Sequence, residues 1–131
     1  MKNFKNKIAV VTGGGTGMGR ELVRQLAAEG CHVAMCDVIQ ENMEETFKIV
    51  SKECPNVKVT KHICDVSDEE QVLQFKDEVI DQHDTSVINL LFNNAGIGGG
   101  GSFVEGSREE WERCFAVCWY GVYYCSRAFM E

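Results

Sequence analysis

The sequence lacks the usual marks of linkers, membrane segments and secretion. It has one proline in 131 residues, which excludes a proline-rich linker. No uninterrupted apolar run approaches the roughly 18 residues that span a bilayer. The N-terminal segment MKNFKNKIAVV has neither the apolar stretch nor the small-residue cleavage site of a signal peptide. We therefore expect a cytoplasmic location and no membrane partner.

Basic side chains are also scarce. Lys and Arg number 13 against 20 Asp and Glu, which gives a net charge of −7 and a pI near 5.0. Nucleic acids and anionic lipid surfaces are bound by clustered Lys and Arg. We therefore expect no nucleic-acid partner.

The three histidines do not fall at zinc-ligand spacing. The chain has seven cysteines and three histidines, but no C-x-x-C pair. A disulfide framework and a structural zinc site are both disfavoured, and we predict no metal ligands. Most of the cysteines lie in apolar runs, where a thiol behaves as a small buried hydrophobe.

Short β-rich runs alternate with helical periodicity along a chain of ordinary globular composition. The predicted strands are Lys7–Thr12, His32–Cys36, Val57–Cys64 and Val87–Phe92. The first two predicted helices are Arg20–Glu29 and Gln40–Glu53. A third begins at a Ser67/Glu70 capping box and ends near His83. A fourth begins at a Ser107/Glu110 capping box and continues to Glu131. This order predicts one α/β domain, a parallel sheet with helices on both faces.

A glycine-rich turn, TGGGTGMG from Thr12 to Gly19, joins the first strand to the first helix. Glycines let a ligand approach the backbone closely. A helix that begins near Gly17 offers free N–H groups and the positive end of its dipole, a combination that binds a pyrophosphate. The alternative is a tight turn without a ligand. The position between a strand and a helix favours the ligand.

A nucleoside triphosphatase loop is excluded by the residues that follow. Gly14 and Gly19 have the separation of GxxxxGK[ST], but Arg20 and Glu21 come next. The phosphate-binding Lys and the magnesium-binding hydroxyl are therefore both missing.

The second strand leads into Asp37. A carboxylate at this place accepts hydrogen bonds from the adenosine ribose hydroxyls and repels a 2′-phosphate. No Arg or Lys occurs within 13–19 or 38–41 to offset that repulsion. The pattern favours NAD over NADP, although a solvated Asp that caps the next loop is the alternative.

Four segments together resemble the short-chain dehydrogenase/reductase family. The glycine turn matches the family's T-G-x-x-x-G-x-G, and Asp37 matches its NAD-type acid. Asp65-Val66 matches the acidic pair after the third strand. Asn93-Asn94-Ala95-Gly96 matches the N-N-A-G after the fourth. The resemblance covers essentially the whole chain and implies a Rossmann-type, doubly wound α/β/α fold with strand order 3-2-1-4.

The resemblance implies eleven cofactor-binding positions. In the turn, Gly13, Gly17 and Gly19 would line the pyrophosphate, with backbone contacts from Thr16 and Met18. Asp37 would hold the adenine ribose. The other positions are Asp65 with the Val66 backbone at the adenine amino group, and Asn94, Ala95 and Gly96 at the cofactor ribose. Asp65 is alternatively a turn residue, and the asparagines also serve the fold.

The family's catalytic Tyr-x-x-x-Lys does not occur in residues 1–131. Tyr123 and Arg127 have a similar spacing, but Arg does not replace Lys, and we interpret them as a helix-surface pair. Cys118 stands where the family commonly has an Asn of its proton relay. We place it on a buried stripe formed by Trp111, Phe115, Cys118, Val122, Cys125 and Phe129, and we assign no catalytic residue in this chain.

The sequence thus predicts the N-terminal, cofactor-binding portion of an NAD-dependent oxidoreductase that acts on an alcohol or ketone. Residues 1–131 alone should be inactive. A non-catalytic dinucleotide-binding module or a truncated product is the alternative, and an interaction protein that uses only the fold is a third possibility. A second apolar stripe on the last helix, which includes Tyr120 and Tyr123, predicts a homodimer or homotetramer.

Overall fold

The computed structural model describes residues 3–99 and 101–130. The strands are β1 (Ile8–Thr12), β2 (His32–Asp37), β3 (Val59–Ile63) and β4 (Leu90–Phe92). The helices are α1 (Gly17–Ala28), α2 (Gln40–Glu53), α3 (Glu69–His83), α4 (Arg108–Phe115), a π-helical turn (Ala116–Tyr120) and α5 (Gly121–Met130). Within the described ranges, no helix has the length and apolar character needed to cross a membrane.

The four strands form one parallel sheet in the order β3-β2-β1-β4, as the resemblance predicts. Ile8 pairs with His32 and Ala9 pairs with Leu90, so β1 lies between β2 and β4. Strands covered on both faces are nearly all apolar, and Ala9, Val10 and Val11 are fully buried. The carboxyl ends of β1, β2 and β4 meet at one edge, where the candidate site lies.

Each face of the sheet has its own apolar core. One core joins Ala9 and Val11 to α1 and α2, through Val23 and Met43. The other joins Val10 to α3 and α5, and includes Phe75. Alternate residues of β1 thus point to opposite layers, which confirms the three-layer α/β/α architecture.

Two strands begin two or more residues later than predicted, and the other boundaries agree to within one residue. β3 begins at Val59 and not at Val57, and β4 begins at Leu90 and not at Val87. The Val87 backbone instead exchanges two hydrogen bonds with the Thr85 hydroxyl, and the Val87 side chain is 58% exposed. A local turn therefore replaces strand pairing at the start of the apolar run.

The predicted cap of α3 is wrong by one residue. Asp68 is the N-cap, and its carboxylate accepts from the backbone N–H groups of Glu70 and Gln71 at 3.0 and 3.3 Å. The Ser67 hydroxyl instead donates to Asp65 at 2.6 Å. The Ser107/Glu110 capping box of α4 is confirmed.

The predicted buried stripe of the last helical segment is also wrong in part. Phe115, Val122 and Cys118 are exposed, whereas the buried positions are Val117, Gly121, Cys125 and Ala128. The cause is the π-helical turn, which bonds i to i+5 and shifts the inward face of the segment. The helix approaches the rest of the chain closely at Gly121, where a Cβ would lie 2.6 Å from the Val66 side chain. The prediction that the helix runs at Glu131 falls outside the described residues.

Candidate functional site

The glycine turn adopts the backbone conformation that its composition predicts. Gly13 and Gly17 have φ values of +68° and +55°, which side-chain-bearing residues rarely adopt. Gly19 packs so closely beneath the turn that a Cβ would lie 1.9 Å from the Gly13 carbonyl oxygen. Glycine at these positions lets the start of α1 fold directly against the end of β1.

The amino end of α1 has no cap of its own. Thr16 occupies the N-cap position, yet its side chain makes no capping hydrogen bond and the first turn contains no acid. By contrast, α3 and α4 are capped by Asp68 and Ser107, and α2, which also lacks a side-chain cap, has an acid, Glu41, in its first turn. Unsatisfied N–H groups and the helix dipole make such an end attractive to an anion.

Polar contacts to the carbonyl groups of the turn hold it in place. Arg20 donates to the Gly15 carbonyl at 2.6 Å and to the Thr46 hydroxyl at 3.0 Å. The buried Thr46 hydroxyl donates to the Gly14 carbonyl at 3.0 Å. Arg20 also forms an ion pair with Glu45 at 3.0 Å. The cation next to the turn is thus engaged in fixing the turn's shape.

Asp37 at the end of β2 lies beside the glycine turn. Its Oδ2 accepts from the Gly15 N–H at 2.9 Å, and its Oδ1 accepts from the Val38 N–H at 2.8 Å. A longer contact from the Ile39 N–H, at 3.4 Å, also reaches Oδ1. An ionised carboxylate has about four acceptor sites. These contacts orient Asp37 and leave it capacity for a ligand hydroxyl.

Thr12 and Asn94 connect the ends of β1 and β4. The Thr12 hydroxyl oxygen accepts from the backbone N–H groups of Asn94 and Ala95 at 3.0 and 2.9 Å. The Asn94 amide donates to the carbonyls of Thr12 and Gly13 at 3.0 and 3.2 Å. Asn94 was expected both to support the fold and to contact a cofactor. These bonds between strand ends show the first of the two roles.

Asp65 and Val66 follow β3 at the same edge. The Asp65 Oδ1 accepts from both the backbone and the hydroxyl of Ser67, at 3.0 and 2.6 Å. Asp65 is thus held in a local turn, the alternative interpretation of this position, and it also borders a cleft at this edge of the sheet. Val66 is buried and packs against Gly121.

Residues of the glycine turn and residues at the ends of β2, β3 and β4 border one cleft of about 310 Å³ at the carboxyl edge of the sheet. Its lining includes the eleven positions that the resemblance implies: Gly13, Thr16, Gly17, Met18, Gly19, Asp37, Asp65, Val66, Asn94, Ala95 and Gly96. Six lining residues were not predicted: Cys36, Val38, Cys64, Ile97, Arg113 and Val117. The sequence did not indicate Arg113, because the packing of α4 against the rest of the fold is what brings this residue to the cleft.

The core thiols near the cleft are unsuited to nucleophilic chemistry. The neighbouring Cys64 thiol and burial together raise the pKa of Cys36 well above its ordinary value. Burial raises the pKa of Cys125 to about 12. Because the thiolate is the reactive form, these cysteines act as small apolar side chains at neutral pH. Cys31, Cys36, Cys64 and Cys125 are the buried cysteines.

Tyr123 and Arg127 contact each other as a surface pair. The Arg127 guanidinium donates to the Tyr123 hydroxyl at 3.1 Å, and the Tyr123 side chain is 49% exposed. Neither residue is among those that line the cleft. The interpretation of this pair as a feature of the helix surface is confirmed.

The fold and cleft define a class, the nucleotide-binding α/β proteins whose ligand lies at the carboxyl ends of a parallel sheet. The family model for short chain dehydrogenase matches residues 7–131, and the chain belongs to this family. It is 35% identical over 124 residues to a meso-2,3-butanediol dehydrogenase from Serratia marcescens, with coverage of 95% of this chain and 47% of that protein. The chain thus spans about half the length of such relatives.

Solved structures agree with this assignment. A short chain dehydrogenase/reductase from Burkholderia phymatum in complex with NAD is 32% identical, with a TM-score of 0.90 over 99% of this chain and 45% of that chain. An alcohol dehydrogenase from Thermococcus sibiricus complexed with 5-hydroxy-NADP is 29% identical, with a TM-score of 0.89 over 96% and 52%. Both kinds of nicotinamide cofactor therefore occur among the structural neighbours.

Proposed function

We propose that the whole protein is an NAD-dependent oxidoreductase and that residues 1–131 form its cofactor-binding part. The proposed reaction transfers a hydride between the nicotinamide and an alcohol or ketone carbon. The observation that carries the proposal is the amino end of α1, which has neither a side-chain cap nor an acid in its first turn and which borders the cleft through the glycine turn. A helix end left open against a glycine turn fits a ligand pyrophosphate.

The residues present fit a dinucleotide. Gly13, Gly17 and Gly19 leave the backbone open to the pyrophosphate, and the Thr16 and Met18 backbone lies in the same turn. Met18 is 82% exposed, so its side chain does not fill the cleft. When bound, the cofactor supplies the hydride chemistry, and the protein supplies position and electrostatics.

Asp37 supports NAD over NADP. Its carboxylate is held at the cleft by backbone N–H groups, with acceptor capacity for the ribose hydroxyls. A 2′-phosphate at this place would meet the negative charge of Asp37, while Arg20 is engaged with Gly15 and Glu45. Electrostatic repulsion in a partly enclosed cleft is screened less than repulsion in bulk water.

The remaining cleft residues complete the proposed cofactor contacts. Asp65 would accept from the adenine amino group, with the Val66 backbone beside it. Asn94, Ala95 and Gly96 would border the ribose that carries the nicotinamide. In the relay position, the Cys118 thiol is a weaker hydrogen-bond partner than an amide. Either the proposed proton relay uses water or another group at this position, or the step itself differs in this protein.

The test of the cofactor proposal is calorimetry of NAD and NADP binding to the full-length protein. We expect the wild type to bind NAD much more tightly, and D37N and D37A to narrow the difference. D81A removes one exposed carboxylate from α3, outside the cleft, and serves as the control for net charge. Equal affinities of the wild type for the two cofactors would refute the assignment of Asp37.

A non-catalytic dinucleotide-binding module is the second candidate, because residues 1–131 contain no Tyr-x-x-x-Lys. An oxidoreductase must obtain that pair from sequence outside these residues. We expect the isolated 131-residue chain to bind NAD without forming NADH from alcohols. If the full-length protein also binds NAD but oxidises no alcohol from a broad panel, the module is the better description.

We also propose that the whole protein is a cytoplasmic homodimer or homotetramer that associates through the segment 107–131. The support is a row of large exposed side chains on this segment: Trp119 is 69% exposed, Tyr120 50%, Tyr123 49% and Met130 82%. Sedimentation of the full-length protein at micromolar concentration tests the proposal. A strict monomer would refute it, and an intact oligomer in the Y120E variant would exclude this face.

A further inference from the structure

Two thiols and a carbonyl oxygen converge beside the cleft. The Sγ atoms of Cys114 and Cys118 lie 4.0 Å apart. The Ile97 carbonyl oxygen lies 3.8 Å from the first and 3.6 Å from the second. Cys114 is half-buried, Cys118 is exposed and both are free thiols. The three atoms thus form an open triangle between the loop after β4 and the start of the π-helical turn.

The dimensions of this triangle match one face of a tetrahedral zinc site. With Zn–S near 2.3 Å and Zn–O near 2.1 Å, ideal tetrahedral angles separate two sulfurs by about 3.8 Å and a sulfur from an oxygen by about 3.6 Å. The observed edges are 4.0, 3.8 and 3.6 Å. The three edges thus agree with those of a tetrahedral zinc site to within a few tenths of an ångström.

The surrounding backbone keeps the triangle in place. A Cβ on Gly96 would lie 3.7 Å from the Cys118 sulfur, and a Cβ on Gly99 would lie 3.9 Å from the Cys114 Cβ. The loop thus lies along the helix at both cysteines. The Ser107/Glu110 capping box fixes the start of α4.

We propose that Cys114, Cys118 and the Ile97 carbonyl bind one thiophilic divalent cation, such as Zn²⁺ or Cd²⁺, with water as the fourth ligand. Soft thiolates select such ions, and each thiol releases its proton to solvent when the ion binds. Among residues 3–99 and 101–130, no three His, Cys, Asp or Glu side chains are placed to hold a metal. The ligand set is therefore two thiolates and a carbonyl, an open site and not a closed structural one.

The evidence for this site does not rest on dinucleotide binding, although Cys118 also stands at the relay position of the proposed oxidoreductase. It uses atoms at the rim of the cleft, since Ile97 borders the cleft whereas Cys114 and Cys118 are not among its lining residues. A bound ion would join the loop to α4 and the π-helical turn, which otherwise meet here through weak S–H contacts. Binding can be measured without any cofactor.

The first experiment titrates the reduced full-length protein with Cd²⁺ and follows the thiolate-to-cadmium absorption. We expect the absorption to saturate at one Cd²⁺ ion per protein chain. Affinity should fall in C114S and in C118S by more than the roughly 10- to 100-fold that changes to outer-shell groups cost. C54S changes a partly buried thiol elsewhere and should bind as the wild type does. Unchanged affinity in the C114S/C118S double variant would refute the site.

X-ray absorption at the zinc edge tests the ligand set. We expect two sulfurs at about 2.3 Å and two oxygen-type ligands at about 2.0–2.1 Å. Three or four sulfurs would show that the metal joins thiols from several places or molecules, which would overturn the proposal. Thermal melts of the serine variants without metal should match the wild type and so show that the fold is intact.

Discussion

The units β1–α1–β2 and β3–α3 are built from similar elements but treat their polar groups differently. In β3–α3, Asp68 caps the helix, and a partly buried chain of side chains joins Glu78, His62, Thr60 and His83 at 2.8, 2.8 and 2.9 Å. In β1–α1–β2, the helix start has no cap and the turn is fixed from behind by Arg20 and Thr46. The β1–α1–β2 unit thus leaves backbone N–H groups free for a ligand, whereas the β3–α3 unit pairs its polar groups with one another.

Among substitutions in the β1–α1–β2 unit, Gly19→Ala should cause the largest loss of stability. The added Cβ would meet the Gly13 carbonyl oxygen at 1.9 Å, a backbone atom that cannot move aside. We expect a loss of at least about 3 kcal/mol in the free energy of unfolding, at the upper end of overpacking effects. Urea denaturation measures it.

Gly17→Ala is the matched control for this substitution. A Cβ there meets no atom within 4 Å, and its φ of +55° is the only strain. The expected cost is about 1–2 kcal/mol. Equal stability losses in the two variants would show that the close approach at Gly19 is not what restricts the turn.

Lower pH should weaken the β3–α3 unit. Burial lowers the pKa of His83 from 6.5 to about 4, with Lys58 adding to the shift. Burial also lowers the pKa of His62, although Glu78 opposes the shift. The unfolded chain therefore binds more protons, and stability is complete above about pH 6.5 and falls as the pH drops towards 4.

We expect this titration to remove about 1 kcal/mol, a value reduced because His83 is only half-buried. Denaturation curves between pH 7.5 and 4 measure the loss. His83→Gln should flatten that dependence, since it cannot titrate. A variant that retains the full slope would assign the pH dependence to other groups.

Asp68→Ala tests the self-capping of α3. The variant loses the acceptor for the Glu70 and Gln71 N–H groups, which should cost about 1 kcal/mol. Ser67→Ala removes only the hydroxyl bond to Asp65 and should cost less. Chemical denaturation of both variants ranks them, and a larger loss for Ser67→Ala would restore Ser67 as the cap.

Thr16→Ala should have the smallest effect on stability. The Thr16 side chain makes no capping hydrogen bond, so we expect a change within about 0.5 kcal/mol. Ser107→Ala at the equivalent position of α4 should cost about 1 kcal/mol, because it breaks a capping box. A stability loss in Thr16→Ala as large as that in Ser107→Ala would mean that α1 is capped after all.

Local patterns in the sequence were enough for the glycine turn, the bounds of α2 and the capping box at Ser107. Each depends on residues that are neighbours along the chain. The family resemblance added the strand order and the eleven cleft positions, because it carries tertiary information that one sequence does not contain. What these positions bind is still a prediction.

Tertiary structure decided the rest. Ser67 and Asp68 are both capable N-caps, and the choice was made by Asp65, which takes the Ser67 hydroxyl. A period of 3.6 residues could not predict the π-helical turn, which exposes Cys118 and turns Gly121 against Val66. That same turn places Cys118 beside Ile97. Packing between distant segments determines these positions, so the spacing of residues along the chain could not predict them.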